Sequence, residues 1–105
     1  GDQVCPITNI TVSPDPVRAG GPVDVKLLCD AKSVTTKGEI EASVYLGPIK
    51  VISEKEDYCK RTRCPAGVGT RMSEIMQQVP RETPKGAEIK IHTVATGADG
   101  KVIWC

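Results

Sequence analysis

Apolar and polar residues alternate with a period of two along most of the chain, which is the pattern of strands with one face buried. Ile7 to Val12 forms a first candidate strand, ended by Ser13-Pro14-Asp15-Pro16 and the Gly20-Gly21-Pro22 cluster. Val23, Val25, Leu27 and Cys29 then share one face of a second, with Asp24, Lys26 and Asp30 opposite and Leu28 out of step. Ile40, Ala42, Val44 and Leu46 alternate with Glu39, Glu41, Ser43 and Tyr45 in a third, which Gly47-Pro48 stops. Ile49, Val51 and Ile52 make a short fourth segment, and the charged run Glu54-Lys55-Glu56-Asp57 after it reads as a solvated loop. Ala87, Ile89, Ile91, Thr93 and Ala95 form another apolar face, and Asp99-Gly100 predicts a two-residue hairpin into a last strand, Lys101 to Cys105. One stretch departs from this rule: Met72, Ile75, Met76 and Val79 lie at helical spacing after a possible Thr70 cap, so local periodicity alone predicts a helix.

Composition agrees with the strands. The chain holds 12 Val, 9 Ile and 9 Thr against 3 Leu, and β-branched residues suit a pleated surface better than a helix face. The fold class expected is therefore all-β. With 105 residues, 14 basic and 13 acidic side chains and a net charge of +1, the chain is the size of one domain and has no basic run for a phosphate backbone, so nucleic acid is excluded as a partner. The longest apolar stretch, Ala42 to Ile52, already contains Lys50, which excludes a membrane span. The opening Gly1-Asp2-Gln3-Val4 has no leader character, so any secretory signal is expected to have been removed or never to have been present.

Five cysteines in so short a chain point to an oxidising compartment, where cross-links supplement a modest core. Metal is the weaker alternative, because His92 is the only histidine and no second cysteine pair has finger spacing. Cys59-x4-Cys64 can close a local hairpin. Cys5 with Cys105 would tie the two ends of the chain, a loop worth about 4.7 kcal/mol in the chain-entropy model. Cys29 is then left over, either as a buried apolar side chain or as a thiol for an intermolecular bridge. No nucleophile elbow or phosphate loop accompanies His92, which falls on a polar strand face beside Lys90, so catalysis is not expected and no cofactor is implied. Asn9-Ile10-Thr11 is a glycosylation acceptor sequence.

Taken in order, Cys59-Lys-Arg-Thr-Arg-Cys64-Pro65, Gly69, Val79-Pro80, Thr83-Pro84-x-Gly86, an alternating strand and Asp99-Gly100 before Cys105 resemble the ML family of lipid-recognition domains. Ile10-Thr-Val-Ser-Pro-Asp-Pro16 and the Tyr45-Leu46-Gly47 step agree, and the likeness is nearest to the plant and fungal phosphatidylglycerol/phosphatidylinositol transfer type. The family also includes mite allergens and the lysosomal cholesterol carrier. The resemblance implies a single domain over residues 1–105, an immunoglobulin-like sandwich of two antiparallel sheets, secreted or in the lysosome or vacuole. It also implies a strand in place of the Met72–Val79 helix, and the pairings Cys59–Cys64 and Cys5–Cys105. Relatives run on past the last cysteine to complete a strand, so an open edge or shallow cavity is expected beside Cys105.

The function implied is non-covalent binding or transfer of a phospholipid, fatty acid or sterol between the sheets. Ala42, Val44, Leu46, Ile49, Val51, Ile75, Val79, Ile89 and Ile91 are candidates for the lining, with ordinary core as the alternative. Each buried methylene contributes about 0.8 kcal/mol, so such a guest needs no polar apparatus. Lys60, Arg61 and Arg63 could meet an anionic headgroup, or could pair with the neighbouring acidic run. A monomer making transient membrane or receptor contact is expected, with a dimer through Cys29 as an option. The competing function is a recognition module, allergen-like, with no lipid cavity.

Overall fold

A computed structural model describes residues 3–14, 18–84 and 86–105, so Asp15 and Pro16 of the expected turn lie outside the described residues. Along the chain come β1 (Ile7–Ser13), β2 (Pro22–Ala31), β3 (Gly38–Leu46), β4 (Ile49–Asp57), the single helical turn α1 (Tyr58–Arg61), β5 (Gly69–Gln78), β6 (Ile89–Gly97) and β7 (Val102–Trp104). They form two antiparallel sheets, β1-β2-β5 and β4-β3-β6-β7, an immunoglobulin-like sandwich as the family resemblance implied.

The helical spacing in the Met72–Val79 stretch does not give a helix. Residues Gly69–Gln78 pair with β2 over their whole length, from Ala31↔Gly69 to Pro22↔Gln78. Strand alternation sends Met72 and Met76 outward and buries Arg71, Ser73, Ile75, Gln77 and Val79. Three polar residues therefore occupy the inner face, which hid the period of two.

The charged run also differs from its expectation. Glu54 to Asp57 continue β4 alongside Ala42 to Glu39 as the edge of the second sheet. Lys55 lies 4.0 Å from Glu39 and 3.9 Å from Glu41, and such charges on an edge discourage pairing with another chain. The β3–β4 hairpin does use Gly47-Pro48, with Gly47 at φ 57°. The β6–β7 turn is one residue longer than its dipeptide signal: Gly97 N–H donates to Lys101 at 2.8 Å, enclosing Ala98, Asp99 and a left-handed Gly100. Beyond Ala95↔Trp104 the edge of β6 has no strand beside it among the described residues.

Cysteine pairing departs from the expectation at one bond. Cys59–Cys64 forms, but Cys5 bonds to Cys29, with Cα atoms 5.3 Å apart, and Cys105 is free and exposed. The N-terminal segment explains this. Cys5 N–H donates to Ile103 at 2.7 Å while Lys32 N–H donates to Val4 at 2.9 Å, so residues 4 and 5 are strung between β7 and the end of β2. Cys5 then faces the inward Cys29, whereas Cys105, past the buried Trp104, points to solvent beside Gln3. Cys29 is neither unpaired nor available for a dimer.

The two ends of the sandwich are built differently. Tyr58 of α1 closes the end formed by Gly38 and Ile103; a Cβ on Gly38 would sit 3.1 Å from Tyr58 and 2.9 Å from Ile103. Arg71, 5% exposed, reaches the same place from β5. Its Nε donates to the Gly67 carbonyl at 3.0 Å, Nη1 to Thr35 at 2.9 Å and Tyr58 at 3.4 Å, and Nη2 to the carbonyls of Ser33 at 2.6 Å and Ala66 at 2.8 Å. All five donors are satisfied by neutral groups, and two loops are tied to the sheet. Ser73 and Thr62 hydrogen-bond beside it.

Candidate functional site

The opposite end lies where β3 meets β4 and β6, at Leu46↔Ile49 and Leu46↔Ile89. Leu46 is eight residues from Gly38, about 26 Å along a strand at ~3.3 Å per residue. In the facing sheet the corresponding end holds Pro22↔Gln78 and Val12↔Val25. Inward positions here are apolar, but several are uncovered. Leu46, Ile89 and Ile91 are half-buried, Ile49 is 64% exposed, and Ile10, paired with inward Leu27, is 53% exposed. Val12 shares the side of Val25 and is also exposed. Among the described residues β7 pairs with β6 only at Ala95 and Thr96, so no strand stands beside Ile89 and Ile91 on that side.

Of the expected lining, Ile75 and Val79 belong to the continuous core, and Ile89 and Ile91 pack against it. Ala42 and Val44 are buried yet stand outside that cluster, which otherwise joins the two layers through Val23, Val25, Leu27, Ile40, Ala95 and Trp104. Val51 sits at a register irregularity in the exposed edge strand β4. The fold thus brings Ala42, Val44, Leu46, Ile49, Ile75, Val79, Ile89 and Ile91 to the facing surfaces of the two sheets. Sequence reasoning missed Ile10 and Val12, although their alternation was visible, and Gln77, whose type reads as solvent-facing.

The expected rim residues do not join this lining. Lys60, Arg61 and Arg63 belong to the disulfide-closed segment at the Tyr58 end. Arg61 is engaged there, its Nε and Nη2 donating to Glu56 at 2.8 and 2.6 Å, while Lys60 and Arg63 are exposed. Hydrogen bonding and the charge of Arg61 hold the Glu56 carboxyl below its ordinary range. At the uncovered end a recess of 320 Å³ is lined by Arg18, Ala19, Thr83, Pro84, Gly86, Ala87 and Ile89, with Arg18 its cation among the described residues. His92 is exposed on the outer face, in register with Ser43. Asn9 and Thr11 are both exposed on the edge strand β1. No group of side chains suited to hold a metal ion occurs among the described residues.

Comparison with known proteins agrees with this architecture. The crystal structure of a Niemann-Pick type C2 protein from Japanese carpenter ant superposes with a TM-score of 0.71 at 18% identity, covering 98% of this chain and 88% of that one. The phosphatidylglycerol/phosphatidylinositol transfer protein of Mycosarcoma maydis is 29% identical over 113 residues, matching 100% of this chain and 58% of its own length. Its namesake from Pyricularia oryzae is 30% identical over 110 residues, 99% of this chain and 61% of its own. The chain therefore spans about three-fifths of these curated relatives, both of them named for transfer and not for a reaction. The ML domain family model matches residues 1–105, and the chain belongs to that family.

Proposed function

We propose that this protein binds a lipid non-covalently between its two sheets and transfers it. One observation carries the reading: inward apolar positions at one end of the sandwich, Leu46, Ile49, Ile89, Ile10 and Val12, are not fully covered by other side chains among the described residues. An acyl chain laid there would remove both surfaces from water, at about 25 cal/mol per Å² of apolar area. Ala42, Val44, Ile75, Val79 and Ile91 would continue the lining inward. The headgroup would rest at the recess beside Arg18, away from Lys60, Arg61 and Arg63 at the closed end. The names of the curated relatives favour an anionic phospholipid as the guest. Two disulfides favour a secreted, lysosomal or vacuolar protein, and delivery requires transient contact with a membrane or receptor.

Native mass spectrometry after incubation with phosphatidylglycerol, phosphatidylinositol, fatty acids and a sterol tests this. A retained one-to-one lipid complex is expected. Absence of retained lipid across the panel overturns the carrier reading and leaves a surface recognition module.

A further inference from the structure

Gln77 has a place in the sandwich that packing alone does not explain. It stands on the inner face of β5 between Ile75 and Val79, paired across the ladder with Val23, and all three neighbours are buried and apolar. Its side chain is buried, with 3% of the residue exposed, and its Nε2 has no hydrogen-bond partner among the described residues. Leaving a buried amide donor unpaired costs about 1–3 kcal/mol, so a structural Gln here would be disfavoured against Leu or Met. The contrast with Arg71, six residues earlier on the same face and satisfied at every donor, places the deficit at the uncovered end. Trp104 likewise leaves its indole N–H unpaired, but on β7 beside Ala95, which pairs with Ile40 toward the Tyr58 end.

Resting on the carrier reading above, we infer that Gln77 is a specificity-determining residue: its amide N–H donates to an oxygen acceptor of the enclosed guest, the carbonyl of an acyl ester. A donor inside an apolar cleft selects for a guest that brings an acceptor to that depth. Leaving the donor unpaired penalises one that does not. A glycerolipid seated with its headgroup outside and its chains between the sheets carries its ester carbonyls at the boundary between the two. A diether lipid of the same shape has no carbonyl to offer.

The experiment is competition between a diester phosphatidylglycerol and its diether counterpart of equal chain length, read by native mass spectrometry on the wild-type protein, Gln77→Leu and Gln77→Met. The wild-type protein is expected to prefer the diester by roughly tenfold, the worth of one buried hydrogen bond. Both variants are expected to bring that ratio close to one while still binding lipid, with a lipid-free melting temperature equal to or above that of the wild type. Equal binding of the two lipids by the wild-type protein overturns the inference, and so does a preference that survives in both variants. Binding of neither lipid overturns the carrier reading and this inference with it.

Discussion

The two ends of the sandwich use opposite solutions to the same problem. At the Tyr58 end, polar side chains point inward and are satisfied: Arg71 engages five partners, Ser73 bonds to Thr62, and both disulfides lie close by. At the Leu46 end, apolar side chains point inward and several remain uncovered among the described residues, with one amide donor, on the buried Gln77, unpaired in the same half. Burying a polar group is tolerated only where its partners are fixed, so the first end specifies a single closed arrangement. Apolar contact is non-directional, so the second can exchange its own side chains for those of a guest.

The largest effect that would break this contrast is expected from Arg71→Met. It should lower stability by about 4 kcal/mol, because the backbone carbonyls of Ser33, Ala66 and Gly67 and the hydroxyls of Thr35 and Tyr58 lose a donor together. Urea denaturation measures it, and a loss under about 1 kcal/mol would show that the Tyr58 end is closed by packing instead. Replacing Cys5 and Cys29 together by Ala should cost about 3–4 kcal/mol for a bridged separation of 24 residues, whereas Cys105→Ala should be neutral within about 0.5 kcal/mol. Truncation to Ala should distinguish the ends directly. Ile103→Ala, in the closed end, is expected to cost about 3 kcal/mol and Leu46→Ala about 1 kcal/mol, since a half-buried side chain leaves no sealed cavity. Equal costs would mean that the sandwich is packed alike throughout.

The smallest effect concerns pH. Glu56 is held below its ordinary range by its hydrogen bonds to Arg61, so its contribution is complete above the usual carboxylate range and is lost as pH falls through the lowered value. Glu56→Gln should remove about 0.5–1 kcal/mol at neutral pH and nothing at pH values below that titration. Glu74 has the opposite sign: hydrogen bonding and repulsion from Asp24 raise its carboxyl, so its effect favours the fold at acid pH and fades as pH rises through the raised value. Thermal melts from acid to neutral pH on Glu56→Gln and Glu74→Gln should therefore diverge from wild type in opposite directions.

Most of the strand order was legible because alternation is a local signal, and β2, β3 and β6 were read with the faces they show. What alternation could not convey was partnership. Glu54 to Asp57 look like a loop until β3 lies beside them, and a charged edge strand has no period of its own to reveal. In β5, Arg71, Ser73 and Gln77 occupy inward positions that the eye assigns to water, leaving two methionines and two aliphatics at helical spacing by coincidence. Which cysteine meets Cys5 depends on the path of residues 4 and 5 between β7 and β2, a long-range fact that spacing does not encode. The lining was readable as inward apolar positions, but which of them stay uncovered among the described residues depends on how the two sheets face each other, which only the assembled fold shows.

Both covalent bridges join the chain at the same extremity, and this distributes rigidity unevenly. Like a clothes-peg whose spring sits at one extreme, the pair of layers can spread at the far tips by small adjustments while the sulfur-clamped hinge holds register. On the carrier reading proposed above, entry of a guest would draw on movement of the tips that carry no sulfur bridge.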